Sequence, residues 1–214
     1  MRPTINMESW KADAYTMLAV IPVGAAADYY INNPEKTYRG ELYLKRTLAP
    51  HGVENPEQLK MSLEWQASKG IRDEFKRMYR ELCLLPETER ARRIEAEASP
   101  YVRHKLTVAD YYLRRMPSGG VGSYDFAVNV LKCVAGERLG WLTADEARMY
   151  VQESVSLTRE HYSNWHDYCI GFAVGLEFVS IDPDPSNYVI EGMGRLRRLL
   201  NFKDSPLVKG KFFI

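Results

Sequence analysis

A chain of 214 residues with 45% hydrophobic and 27% charged side chains suits one large globular domain, or at most two small ones sharing a core. Its formal net charge of +1 excludes the basic excess of a dedicated nucleic-acid binder and the acidic excess of an inhibitor aimed at a basic enzyme. Three widely spaced cysteines, Cys83, Cys133 and Cys169, read as free thiols in a reducing compartment. The start, MRPTINMESWKADAY, lacks the basic-then-apolar order of a secretory signal. The apolar run from Tyr15 to Ala27 is broken by Pro22 and is shorter than the roughly 20 residues a membrane span needs. The expectation is a cytoplasmic protein with no membrane contact and no nucleic-acid partner.

Helical periodicity dominates the chain. Ser9 is placed to cap a first helix from Trp10 to Val20, which Pro22-Val23-Gly24 would end or kink; the stretch from Gly24 to Lys36 gives no clear signal. Tyr38 to Ala49 reads as a helix stopped by Pro50-His51-Gly52. Asn55-Pro56-Glu57-Gln58 then combines a cap, a first-turn proline and a Gln three residues after the cap, starting a helix with Leu59, Leu63 and Ala67 on one side and its end at Gly70. Ile71, Phe75, Met78, Leu82 and Leu85 form an amphipathic stripe. The charge-rich segment 86–98 predicts an exposed helix or linker, and Ser99-Pro100 caps a helix with Val102, Leu106, Ala109, Leu113 and Met116 inward. The Gly-rich loop 117–122 is the expected flexible segment, and a sub-domain boundary or a lid would fall there.

The stretch from Ser123 to Phe178 predicts three consecutive helices. Ser123 is expected to cap the first, in which Tyr124, Ala127, Leu131, Ala135 and Leu139 share one face while Phe126, Val130 and Cys133 occupy another. Only Asp125, Asn129 and Lys132 interrupt the apolar surface, so this helix, near residues 124–139, is expected at the centre of the fold. Gly140 closes it, and Thr143-x-x-Glu146 is a capping box for the next helix, with Ala147, Val151, Val155 and Tyr162 inward. Ser163 is placed to cap the third, whose Trp165, Tyr168, Phe172, Leu176 and Val179 align; Gly171 and Gly175, four apart, allow another backbone to approach. Asp182-Pro183-Asp184-Pro185 breaks the chain before a last helix with Val189, Met193, Leu196 and Leu200. Nothing alternates like a strand. The architecture expected is an all-α single-domain bundle over residues 1–214.

Tyr124-Asp125, Gly140-Trp141-Leu142, Glu146-Ala147, Tyr162-Ser163-x-Trp165 and Gly171-x-x-x-Gly175, in this order, resemble the bacterial domain of unknown function 1266 family, the YbeU/YbeR-like proteins. The resemblance extends upstream over residues 55–75 and to Leu199-Leu200 and Ser205-Pro206 at the tail. The chain departs from it at Ile71, where the family carries His, at Asn129, where it carries Arg, and at Leu207, where it carries Trp. The resemblance implies a helical fold and a bacterial cytoplasmic setting. It brings no activity with it.

Two carboxylates are the candidates for chemistry. Asp125 in an apolar helix is either a general acid/base with a raised pKa or, the preferred reading, a member of a structural ion pair or an acceptor for the Trp141 indole or for the helix N-terminus beside Ser123. Glu146 completes a capping box; beside Asp125 it would make the paired-carboxylate pattern of glycoside hydrolysis. His161, His166 and Cys169 match no zinc signature, and no metal or other cofactor is expected. Arg195, Arg197, Arg198 and Lys203 form a basic cluster that reads as a solvated face. With no recognisable catalytic set and 14 tyrosines, the preferred function is a non-enzymatic protein that binds another bacterial protein, such as a toxin it neutralises in the manner of an immunity protein. The alternative is an enzyme with a cleft around Asp125, Asn129 and Lys132.

Overall fold

The structure, a computed structural model, describes residues 9–22, 29–30, 33–180, 197–209 and 212. Among these, nine helices of eight residues or more and no strand are present. They are α1 (Ser9–Leu18), α2 (Glu41–Leu48), α3 (Pro56–Ser68), α4 (Gly70–Cys83), α5 (Glu87–Glu95), α6 (Pro100–Tyr111), α7 (Gly122–Arg138), α8 (Ala144–His161) and α9 (Trp165–Val179). Also described are single helical turns at Pro34–Thr37 and Pro206–Lys209, a 3-10 turn at Ala49–His51, and helical residues 197–201. Val23, Gly24, the break 182–185 and the last-helix positions Val189, Met193 and Leu196 lie outside the described residues.

Helix α7 is the hub. Helices α1, α2, α3, α4, α8 and α9 all pack against it, and every residue from Gly122 to Gly136 except Tyr124 is buried. Phe126, Ala127, Val130, Leu131, Cys133 and Val134 feed the main core, which also takes Leu59 and Leu63 of α3, Val151 of α8 and Phe172 of α9. Each fully buried large apolar side chain contributes about 1.5–3 kcal/mol. A smaller cluster joins Phe75, Met78 and Leu82 of α4 to Leu106 and Ala109 of α6 and to Phe178 of α9. The expected stripes on α4 and α6 therefore face each other. Helix α5 buries no residue and is tied on by ion pairs, Arg90 to Asp110 and Arg93 to Glu81, each at 2.6 Å.

The caps show how local sequence sets these boundaries. Asn55 Oδ1 accepts from Gln58 N–H (2.9 Å), while Gln58 Oε1 accepts from Glu54 N–H (2.8 Å), one residue upstream of the cap. Thr143 and Glu146 form the full reciprocal box, and Gly140, at φ +71°, turns the chain out of α7. Ser99 caps α6 through Val102 N–H.

Two caps differ from expectation. Ser123 lies inside the first turn of α7, which starts at Gly122 without a side-chain cap; the Ser123 N–H is taken instead by the Tyr162 hydroxyl (2.8 Å). Asn164, in extended backbone, caps α9 by accepting from Asp167 N–H (2.8 Å), while Ser163 stays exposed. Asn164→Ala is expected to cost about 1 kcal/mol in denaturant unfolding and Ser163→Ala a few tenths; equal losses would refute this assignment.

The glycine pair behaves as its spacing suggests. A Cβ on Gly171 would lie 2.5 Å from the Gly120 carbonyl oxygen and 2.7 Å from the Tyr162 hydroxyl; one on Gly175 would lie 2.5 Å from Tyr124 Cβ. The 117–122 loop and the start of α7 therefore rest directly on α9. Tyr162 pins this contact, its hydroxyl hydrogen shared between the Gly119 (3.1 Å) and Gly120 (2.9 Å) carbonyls, and Ser118 Oγ donates to the His161 carbonyl (2.9 Å). Gly171→Ala is expected to destabilise by about 1–3 kcal/mol through overpacking. Thermal unfolding tests this, and an unchanged melting temperature would show that the loop yields freely.

Candidate functional site

The polar residues of α7 do not open to solvent: Asp125, Asn129 and Lys132 are 0%, 3% and 2% exposed. The cleft expected around them is therefore not formed. Their polar groups turn instead toward the α3–α4 junction and α8, because α7 is covered on all sides and buried polar groups draw on internal partners; Asn129 Oδ1 is left without one among the described residues.

Asp125 occupies the first turn of α7 and reaches across to the first turn of α4. Its Oδ1 accepts from Ile71 N–H and its Oδ2 from Arg72 N–H, both at 2.9 Å, and the Arg72 guanidinium lies 3.4 Å from Oδ2. A carboxylate borrowed from another helix thus caps α4, which has no side-chain cap of its own at Lys69. Gly70 makes the approach possible. It sits at φ +62°, and a Cβ there would fall 2.3 Å from the Asp125 carboxyl carbon. Burial raises the Asp125 pKa to about 6, opposed by the two N–H donors and by the Arg72 charge.

Arg72 extends the network. Its guanidinium also donates to the Gln66 and Ala67 carbonyls and stands over the Phe126 ring, 5.4 Å from its centre. The Gln66 side chain, 3% exposed, accepts from Lys132 Nζ (2.6 Å), which also donates to Ser62 Oγ (2.7 Å). Asn129 Nδ2 donates to Ser154 Oγ on α8 (3.2 Å), and Ser154 in turn donates to the Tyr150 carbonyl (3.0 Å). One buried polar spine therefore runs from the start of α4 into α3, and a separate, shorter pair of bonds ties α7 to α8.

Lys132 is a buried ammonium held by neutral oxygens. Burial lowers its pKa to about 8, with the distant Asp125 charge acting the other way. His51, on the 3-10 turn, is pushed down to about 4 by burial and by the Lys132 charge, so it stays neutral at pH 7. The folded state releases the Lys132 proton about 2.5 pH below the unfolded chain's 10.5, so between pH 8 and 10.5 the unfolded state binds more protons and stability rises with pH. The charge penalty relieved is about 3 kcal/mol. Denaturant midpoints of the wild type are thus expected to gain on those of Lys132→Met from pH 8 to 10, and parallel curves would contradict it.

The other candidate residues are dispersed. Glu146 lies at the start of α8, at the opposite end of α7 from Asp125, about 20 Å away by helix rise. It is partly exposed, completes its capping box and pairs with Lys60 of α3 at 2.7 Å, contacts that hold its pKa down at about 2. The two carboxylates do not flank a pocket. Trp141 is also at that far end, half-buried against the main core, so backbone amides and Arg72 hold Asp125 in its place. Tyr124 packs on Phe172, and Trp165 meets Tyr168 and Phe212 edge-on. Cys169 is core, His166 is exposed, and His161 stacks on Phe126. No group of three His, Cys, Asp or Glu suited to a metal occurs among the described residues. Arg197 and Arg198 are exposed, while Arg195 lies outside the described residues.

Sequence reasoning missed Gly70, Arg72, Gln66 and Ser62 as partners of the polar strip. The available signal was Gly70 as the first residue of a helix that lacks its own side-chain cap. A glycine at an uncapped helix start calls for an acceptor from elsewhere in the chain.

What these contacts define is an all-helical domain whose central helix donates a buried carboxylate to cap a neighbour. The chain belongs to the family described as protein of unknown function (DUF1266), whose model matches residues 49–212. That span holds α3 to α9 and all of the polar spine. Neither the curated proteins nor the solved structures searched returned a match. No described helix is long and apolar enough to cross a membrane.

Proposed function

We propose that this chain is a non-enzymatic protein-binding domain of the bacterial cytoplasm, with α3 and the adjoining side of α8 as its contact face. What carries the reading is the exposure of large apolar side chains on that face: Met61 at 69% and Trp65 at 46%, one turn apart on α3, and Met149 at 55% on α8. Trp and Met are enriched in protein interfaces, and Trp is among the strongest anchors there. The Lys60–Glu146 ion pair ties the two helices together in this region and adds the polar rim such interfaces carry. The polar strip of α7 is spent on internal contacts, which leaves the non-enzymatic reading ahead. Cys83, Cys133 and Cys169 are all free thiols, in keeping with a reducing compartment.

In its narrower form the partner is a bacterial toxin that the domain neutralises. The test places a photo-crosslinking amino acid at position 61 or 65 in living cells, with Lys76 as a control position on another helix. One protein crosslinked from 61 and 65 but not from 76, and lost on Trp65→Ala, is the expected result. Its identity decides the narrower form, since a toxin partner must become lethal when the chain is removed. Absence of a site-specific crosslink would refute the contact face.

A further inference from the structure

A cleft of about 550 Å³ opens between the start of α4 and the 117–121 loop, beside the spine but without Asp125, Asn129 or Lys132 in its lining. Its volume is that of a small-molecule site. We infer that this cleft binds a small phosphate monoester carrying a planar apolar group, held by Lys69 and Lys76 with its planar part against Tyr79.

The cleft has a charged wall and an aromatic floor. Lys69, Arg72 and Lys76 stand on the α4 side against one acid, Asp73. Arg72 directs its donors into the spine, so it forms the wall. Lys69 and Lys76 are exposed and make no ion pair among the described residues, which leaves both ammonium groups for a ligand. A dianionic phosphate answers two cations better than a carboxylate does.

The half-buried Tyr79 is the ring the cleft offers, and the buried Phe75 of the smaller core lies beside it, ring centres 5.9 Å apart and 31° from parallel. Tyr79 is fixed because its hydroxyl accepts from Arg114 N–H (2.8 Å). Across the opening, the His161 ring is held parallel to Phe126 at 12°, and Tyr162 pins the glycine lip. These walls are set before any ligand arrives, so little ordering cost is added on binding.

Calorimetric titration of the full chain at low salt tests the assignment with four probes: phenyl phosphate, inorganic phosphate, benzoate and benzyl alcohol. Phenyl phosphate is expected to bind at least about tenfold more tightly than each of the others, and to weaken as ionic strength rises. The Lys69→Glu/Lys76→Glu double variant should lose at least about tenfold in affinity for phenyl phosphate. Both positions are exposed, so its helicity and melting temperature should match the wild type's; Lys69→Gln/Lys76→Gln repeats the test with less charge change. No heat with phenyl phosphate, equal binding of benzoate or benzyl alcohol, or affinity unchanged in both double variants would each overturn the proposal.

Discussion

Asp125→Ala is expected to lower the free energy of unfolding by about 3–5 kcal/mol, the cost typical of removing one partner from a buried charged contact. Three groups lose their acceptor at once: the Ile71 and Arg72 N–H groups at 2.9 Å and the Arg72 guanidinium at 3.4 Å. The amides belong to the uncapped first turn of α4, so the loss falls on the contact between α4 and α7. Arg72 then remains beside the Phe126 ring with only carbonyls to hold it. Asp125→Asn should do less damage, about 1–3 kcal/mol, because one oxygen still accepts while its amide group opposes the second N–H donor. Urea unfolding of the three proteins at pH 7 checks the order, and an alanine variant within about 0.5 kcal/mol of wild type would remove Asp125 from its structural role.

Gly70→Ala is the second large effect, about 2–5 kcal/mol, from two separable causes. The left-handed backbone at φ +62° costs a non-glycine residue about 1–2 kcal/mol. The new Cβ would also sit 2.3 Å from the Asp125 carboxyl carbon, and relieving that overlap costs about 1–3 kcal/mol or breaks the cap. The second cause disappears when the carboxylate is absent. Gly70→Ala in an Asp125→Ala background should therefore cost only the backbone part, so the double variant should be less destabilised than the sum of the singles. Strict additivity in denaturant unfolding would show that Gly70 and Asp125 do not meet.

Together these variants distinguish architecture from turnover at Asp125. Its raised pKa of about 6 resembles that of a catalytic acid, yet burial is the first cause and the oxygens are already occupied by amides. A carboxylate with 0% exposure offers no face to a substrate. Acidity and accessibility are separate requirements, and Asp125 meets only the first.

Much of the fold was legible in the residues because helix signals are local. The Asn55, Ser99 and Thr143 caps act within one turn of chain, and Gly140 needs only its own left-handed φ. The centrality of α7 was legible from the near-absence of polar residues around it, and the close approach at Gly171 and Gly175 from their spacing. Ser123 and Ser163 were misplaced as caps because each has a nonlocal or adjacent competitor, the Tyr162 hydroxyl in one case and Asn164 in the other. Only a structure could decide between them.

The sequence alone determined a helical body with residues 124–139 at its centre and a family membership that its motifs already suggested, since apolar periodicity and capping chemistry are written in neighbouring residues. The tertiary structure alone decided the partners of the polar strip, the separation of Asp125 from Glu146, and the cleft lined by Lys69 and Lys76. The Asp125 carboxylate and the α4 amides are more than 50 positions apart in the chain, as are Lys132 and Gln66. Which long-range pairs meet depends on how all the helices pack at once, because a buried polar group takes whichever partner that packing brings within about 3 Å.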